Sequence, residues 1–100
     1  MKKSNKILSQ QSIKKLNKVK GDVCELLRDF SIPLRRWEET TLYNMFYFID
    51  DIMLDNMKHP DYTKEEIKAR LIEFNILCSA TKNKTMSGFK KELEDVIDNG

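Results

Sequence analysis

Residues 34–57 read LRRWEETTLYNMFYFIDDIMLDNM and contain Trp37, Tyr43, Phe46, Tyr47 and Phe48, five of the nine aromatic residues in the chain. Wound as a helix at ~100° per residue, the segment gathers Leu34, Trp37, Thr41, Leu42, Met45, Phe46, Phe48, Ile49, Ile52, Met53 and Met57 on one side, over an arc of roughly 200°. A single neighbour cannot cover an arc that wide. The segment is therefore expected to be the central member of an all-α fold, a compact bundle of about four helices.

The flanking sequence supplies the partners. Upstream, Ser12 stands where an N-cap is expected, and Ile13, Leu16, Val19, Val23, Leu26, Leu27 and Phe30 follow at spacings of three and four, with Cys24 on the same arc. Gly21 lies inside this helix and predicts a bend or a close approach to a neighbour. Ser31, Ile32 and Pro33 break the pattern. Proline is tolerated only in a first helical turn, so the central helix should begin within a residue or two of Pro33. It should end by His59, because Pro60 disfavours helical backbone at the residue before it.

Downstream, Thr63 and Glu66 have the spacing of a capping box that opens a third helix. Ile67, Leu71, Phe74 and Cys78 make one face of it, while Ile72 and Ile76 point elsewhere. Two readings follow. Either the helix is buried on two sides, or it ends near Phe74 and residues 76–89 form a short hairpin about 82–84. Ser87 is expected to cap a last helix striped by Phe89, Leu93, Val96 and Ile97. Residues 1–11 read as a flexible basic arm and residues 12–100 as a single helical domain.

Composition agrees with that outline. The chain has 100 residues, 40% hydrophobic and 34% charged, with only three glycines and two prolines, too few for the many turns of a β-sandwich. Its longest apolar run, residues 45–49, is far shorter than a membrane span or a signal sequence requires, so no membrane association and a cytoplasmic location are expected. Cys24 and Cys78 lack any metal-ligand or redox spacing and read as small hydrophobes in a reducing compartment.

Charge is distributed unevenly although the formal net charge is only +2. Residues 1–20 carry seven lysines and no acid, residues 21–66 eleven acids against five bases, residues 67–91 six bases against one acid, and residues 92–100 four acids. Two basic segments suggest an anionic partner such as DNA, and the acidic middle suggests a basic one. The blocks can also complement one another within the fold.

Catalytic chemistry finds little support. His59 is the only histidine, no nucleophile is paired with a base by any motif, and neither a zinc spacing nor a glycine-rich phosphate loop is present. Asp50, Asp51 and Asp55 form a DDxxxD string that resembles the aspartate-rich magnesium motif of prenyl-diphosphate synthases over six residues. Those enzymes use a second such motif and a large helical cavity; one string in 100 residues reads instead as a solvated acidic face. No enzyme and no cofactor are expected.

Binding remains, in two forms. In the first, the third and fourth helices form a helix-turn-helix-like pair on DNA, with Lys82, Lys84, Ser87, Lys90 and Lys91 at the start of the reading helix and Lys14 and Lys18 of the basic segment on the backbone. The roughly eight-residue connection from Ser79 is long for that motif, and the reading helix turns acidic in its second half. In the second, Arg36, Tyr43, Tyr47 and Leu54 form an exposed strip opposite the core arc of the central helix, with the composition of an interface core. A phage- or plasmid-type inhibitor, immunity protein or co-regulator would dock a partner protein there. The balance of the sequence leans slightly to DNA, because two basic segments need explaining; a homodimer suits either form.

Overall fold

The computed structural model describes residues 8–57 and 62–99, with backbone alone at 55–57. Four helices follow in order: α1 (Gln10–Arg28), α2 (Arg36–Met57), α3 (Lys64–Ala80) and α4 (Lys84–Asn99). No strand occurs among the described residues.

Cross-helix contacts set the topology. Lys20 of α1 meets Asp50 of α2, while Cys24, Leu27 and Arg28 lie beside Tyr43, so α1 and α2 are antiparallel. Phe48 of α2 meets Phe74 of α3 with ring centroids 5.8 Å apart, and Glu38 meets Thr81. Asn75 of α3 donates to the Lys90 carbonyl of α4 at 3.0 Å, six residues before and seven after the turn that joins them. Lys15 of α1 reaches Asp95 of α4 at 3.2 Å. The result is an up-down-up-down bundle in which each helix flanks the next and α4 closes on α1.

One core fills it. Leu16, Val19, Val23 and Leu26 come from α1, Leu42, Met45, Phe48, Ile49 and Ile52 from α2, Ile67, Leu71, Phe74 and Cys78 from α3, and Met86, Phe89, Leu93 and Val96 from α4. Of the expected arc, Thr41, Leu42, Met45, Phe48, Ile49 and Ile52 are buried and Leu34, Trp37, Phe46 and Met53 partly so, while the Met57 side chain lies outside the described residues; α2 is not the hub. It packs closely along α1 and approaches α3 least closely of the neighbouring pairs. The large rings of Phe48, Phe74 and Tyr62 fill that wider gap, with the Arg70 guanidinium 5.3 Å and 5.6 Å from the centroids of Phe48 and Phe74. Bulky side chains explain why a broad apolar arc can be covered by two neighbours.

Helix ends depart from expectation in four places. Ser9, not Ser12, caps α1: its Oγ accepts from the Ser12 backbone N–H at 3.2 Å. Leu8, one residue before the cap, is buried, so residues 8–11 belong to the fold, and residues 1–7 of the expected arm lie outside the described residues. Leu8 and Ile13 hold the positions of a hydrophobic staple, which sets the earlier start.

Second, α1 stops at Arg28, and Phe30 is 95% exposed instead of joining the core. Asp29 Oδ1 accepts from the Ser31 N–H at 3.0 Å and the Ser31 hydroxyl at 2.6 Å, and Ile32 N–H donates back to the Asp29 carbonyl, placing Phe30 at the outer corner of the turn. The Ser31 hydroxyl and N–H hold the Asp29 carboxyl below the usual carboxylate range.

Third, α3 continues to Ala80 and no hairpin spans 76–89. The capping box is present, with Thr63 Oγ1 accepting from Glu66 N–H at 3.1 Å and Glu66 Oε1 from Thr63 N–H at 2.9 Å. Extended backbone after Phe74 would take Cys78 out of register with Ile67, Leu71 and Phe74, and a lone ribbon gains too little to offset that. Fourth, Asn83 caps α4 in place of Ser87: Asn83 Oδ1 accepts from Met86 N–H at 2.8 Å, which starts the helix one turn early and buries Met86. Ser87 is an ordinary first-turn residue whose hydroxyl donates to the Lys84 carbonyl at 3.0 Å. Pro60 and His59 lie outside the described residues.

Candidate functional site

The outer face of the α1–α2 pair carries a groove of about 290 Å³. Cys24, Leu27, Arg28 and Phe30 supply one wall, and Tyr43, Phe46 and Tyr47 the other. Its position follows from the sequence of α2. Phe46 lies at the edge of the buried arc, and Tyr43 and Tyr47, one turn apart, stand just beyond it, so one helix presents three rings in a continuous slope from core to solvent. Tyr43 and Tyr47 stack at a centroid distance of 6.5 Å with planes 18° apart, and Tyr47 meets Phe46 edge-on at 5.5 Å.

The floor is fixed by a charged latch. Lys20 Nζ lies 2.7 Å from Asp50 Oδ1 and 5.3 Å from the Phe46 centroid, so the same ammonium ties α1 to α2 and caps the ring at the groove's margin. The rim is apolar and open: Tyr43 is 49% exposed and Tyr47 60%. No other part of the described chain covers these rings, and with Phe30 they form a contiguous apolar patch.

Of the strip expected from the sequence, Tyr43 and Tyr47 come together in the groove. Leu54 is exposed on the same side of α2 about two turns further on, and Arg36 is exposed about two turns before Tyr43; neither lines the groove. Sequence reasoning missed the α1 side, namely Cys24, Leu27, Arg28 and Phe30. Phe30 carried a signal, because it precedes the Ser31–Ile32–Pro33 break and is the last member of its apolar series, where a turn can carry it outward.

The lysines form no such constellation. Lys82 lies in the three-residue turn 81–83, far shorter than the eight residues expected, and shares a hollow with Arg35 and Glu38. Lys84, Lys90 and Lys91 are exposed along the first half of α4, and Ser87 sits between them. Lys14 is exposed on α1, and Lys18 pairs with Asp22 at 3.3 Å. The three-residue turn between α3 and α4 has the length of a helix-turn-helix connection, and the second helix buries Met86, Phe89, Leu93 and Val96 in the core.

The charge order of α4, lysines first and acids last, has its counterpart across the bundle. Helix α1 also begins basic, with Lys14, Lys15, Lys18 and Lys20, and becomes acidic at Asp22 and Glu25. Because the two helices are antiparallel, the gradients oppose each other. Lys15 meets Asp95 at 3.2 Å and Glu92 at 3.8 Å, and at the other end Asp22, Glu25 and Asp29 border the same hollow as Thr85 in the first turn of α4. One end of the basic–acidic alternation, Lys15 against Glu92 and Asp95, is thus used inside the fold.

Metal chemistry is equally unsupported among the described residues, where no group of three His, Cys, Asp or Glu side chains could hold an ion. Asp50 of the DDxxxD string is committed to Lys20, Asp51 is exposed, and the side chain of Asp55 lies outside the described residues. Burial pushes the Cys78 thiol up to about 12, which leaves it inert as a nucleophile. Among the described residues no helix is long and apolar enough to cross a membrane. The chain matches no protein-family model, no curated protein and no solved structure.

Proposed function

We infer that the chain is a small non-enzymatic binding protein that docks a partner protein in the groove between α1 and α2, an inhibitor, immunity protein or co-regulator in type. The observation that carries this reading is the open apolar groove with Tyr43, Tyr47 and Phe30 on its rim. Half-exposed tyrosines beside an arginine are the residues that dominate binding energy at protein interfaces. The occupant is the apolar face of an amphipathic helix: the groove lies along α2, and its rim residues recur at one-turn spacing. Arg28 on the opposite wall offers a guanidinium to a carboxylate or terminal carbonyl of that helix. Two free cysteines suit a reducing, cytoplasmic setting.

The second reading, DNA contact through Lys82, Lys84, Lys90 and Lys91, rests on the exposure of Lys84, Lys90 and Lys91 beside the short turn that holds Lys82. It ranks below the first because these four lysines line no common groove, whereas the α1–α2 groove gathers its residues from both helices.

One experiment separates them. Tagged wild-type protein, a Phe30→Ala/Tyr47→Ala variant and a Lys82→Ala/Lys84→Ala/Lys90→Ala/Lys91→Ala variant are each used to recover partners from the source cells, with DNA removed by nuclease. A defined protein retained by the wild type and the lysine variant but lost from the groove variant supports the groove. In parallel, anisotropy of a labelled duplex is read at two salt concentrations. Tight, salt-sensitive DNA binding lost with the lysines, and no protein lost with the groove residues, transfers the function to DNA.

A further inference from the structure

The groove between α1 and α2 has an electrical direction. Among its lining residues Arg28 alone is charged, and it stands at the Phe30 end. At the other end Lys20 and Asp50, 2.7 Å apart, neutralise each other, and the charge left over is that of Asp51, exposed one helical turn past Tyr47. Neither Arg28 nor Asp51 enters a salt bridge among the described residues. The remaining charges near the Phe30 end leave this direction in place. Arg36 and Glu39, exposed in the first turn of α2, are of opposite sign, and Asp29 borders the separate hollow beside Thr85. Leu54, 54% exposed, continues the apolar ridge past Asp51.

We propose that the groove accepts its partner helix in one polarity, with the amino end at Asp51 and the carboxyl end at Arg28, antiparallel to α2 and parallel to α1; this rests on the docking function inferred above. The last carbonyls of any helix have no partner within it and carry a partial negative charge, and its first N–H groups carry a partial positive one. In this polarity the Arg28 guanidinium meets the terminal carbonyls, or a carboxylate among them, in a charge-assisted hydrogen bond. Asp51 meets the opposite pole. Reversal sets each pole of the partner against its own sign.

The apolar contacts do not choose between the two polarities. Tyr43, Phe46 and Tyr47 offer the same rings to a row of leucines whichever way it runs, so the charges at the ends decide. About 12 Å of helix separates Tyr43 from Asp51, which a partner helix of about 12 residues spans with a turn to spare. The occupant is therefore a short amphipathic helix that ends, or carries a carboxylate in its last turn, at Arg28.

The probe that tests this is a leucine–alanine peptide of about 14 residues, with leucines at i, i+3, i+4 and i+7, acetylated at its amino end and free at its carboxyl end. A nitroxide label is placed at its first residue or at its last, and amide spectra of the isotope-labelled full chain are recorded during titration. The carboxyl-end label should broaden the amides of Arg28 and Phe30, and the amino-end label those of Asp51 and Leu54. Arg28→Glu/Asp51→Lys should weaken the peptide about tenfold and exchange the two patterns. Its circular-dichroism spectrum should be unchanged, because both side chains are exposed. The opposite pattern, or equal broadening at both ends by each label, overturns the polarity; if binding is then still lost in Phe30→Ala/Tyr47→Ala, the groove itself stands as the docking site. No shift at any groove amide up to millimolar peptide overturns the polarity together with the helical occupant. Shifts of the same amides on concentrating the protein alone would assign the groove to a second copy and also overturn the proposal.

Discussion

Glu38 and Thr81, 43 residues apart in the chain, are joined by a hydrogen bond from the Thr81 hydroxyl to Glu38 Oε2. Glu38 is 5% exposed, and its other oxygen accepts from Arg35 N–H at 2.8 Å at the start of α2. Thr81 Oγ1 in turn accepts from Asn83 N–H at 3.0 Å, and Asn83 Oδ1 accepts from Met86 N–H. A run of four hydrogen bonds thus links the first turn of α2 to the first turn of α4 and fixes the short turn 81–83 against the bundle.

The pH dependence of stability follows. The Thr81 hydroxyl, with lesser help from Arg35, holds the Glu38 carboxyl below its ordinary value of 4.5. A depressed folded-state pKa contributes stability that is present above the unfolded value and is lost as pH falls through the folded one. Thr81→Val should cost about 1 kcal/mol at pH 7, the modest figure reflecting a hollow beside Glu38 that admits solvent. In urea titrations the gap between wild type and variant should narrow below about pH 4.5, leaving only the pH-independent loss of the Asn83 N–H acceptor. A gap that is independent of pH would show that the carboxylate is not the acceptor that matters.

Capping discriminates Asn83 from Ser87. Asn83→Ala should lower stability by about 1 kcal/mol, because it leaves a first-turn N–H of α4 without its acceptor. Ser87→Ala should change it by less than about 0.5 kcal/mol. Equal effects in thermal denaturation would place the start of α4 nearer Ser87.

Gly21 sits in the middle of α1 with nothing within 4 Å of the place a Cβ would occupy. No close neighbour explains it. Gly21→Ala should therefore stabilise the protein by about 0.5–1 kcal/mol, seen as a raised midpoint of thermal unfolding. A lowered midpoint would mean that this face of α1 is covered.

The two thiols should report the core and the groove separately. Cys78 is buried and its thiol is pushed up to about 12, so it should react with a thiol reagent only on global unfolding. Cys24, half-buried in the groove wall, should be modified in the folded protein, and Tyr47→Trp should slow that reaction by narrowing the groove. Equal rates at both positions, read by mass spectrometry, would contradict the packing.

Aromatic rings on α2 show where sequence reading stops. Phe48, Tyr43 and Tyr47 belong to one short run, and their angular positions around the helix axis are enough to separate a core ring from surface rings. Periodicity also marks Leu16, Val19, Val23, Leu71, Phe74, Leu93 and Val96 as core, because burial of an amphipathic face repeats with the helix itself. The capping box of Thr63 and Glu66 is legible for the same reason: its partners lie three residues apart.

Local pattern is less decisive where two solutions compete. Ser9 and Ser12, or Asn83 and Ser87, are equally good caps in isolation, and the choice falls to the one that buries Leu8 in the first case and Met86 in the second. Likewise Ile72 and Ile76 leave residues 76–80 open between helix and strand, and the burial of Cys78 in the core decides for helix.

The sequence by itself determined an all-α domain, its core stripes and the candidate status of Tyr43 and Tyr47, since each depends on spacing along one helix. Only the tertiary structure decided that α1 and α4 run antiparallel with opposed charge gradients. It also decided that Cys24, Leu27 and Phe30 meet Tyr43 and Tyr47 across a groove, and that Glu38 reaches Thr81. Those relationships join residues on different helices, and their register is set by how side-chain volumes fit together in the bundle, which spacing along the chain does not encode.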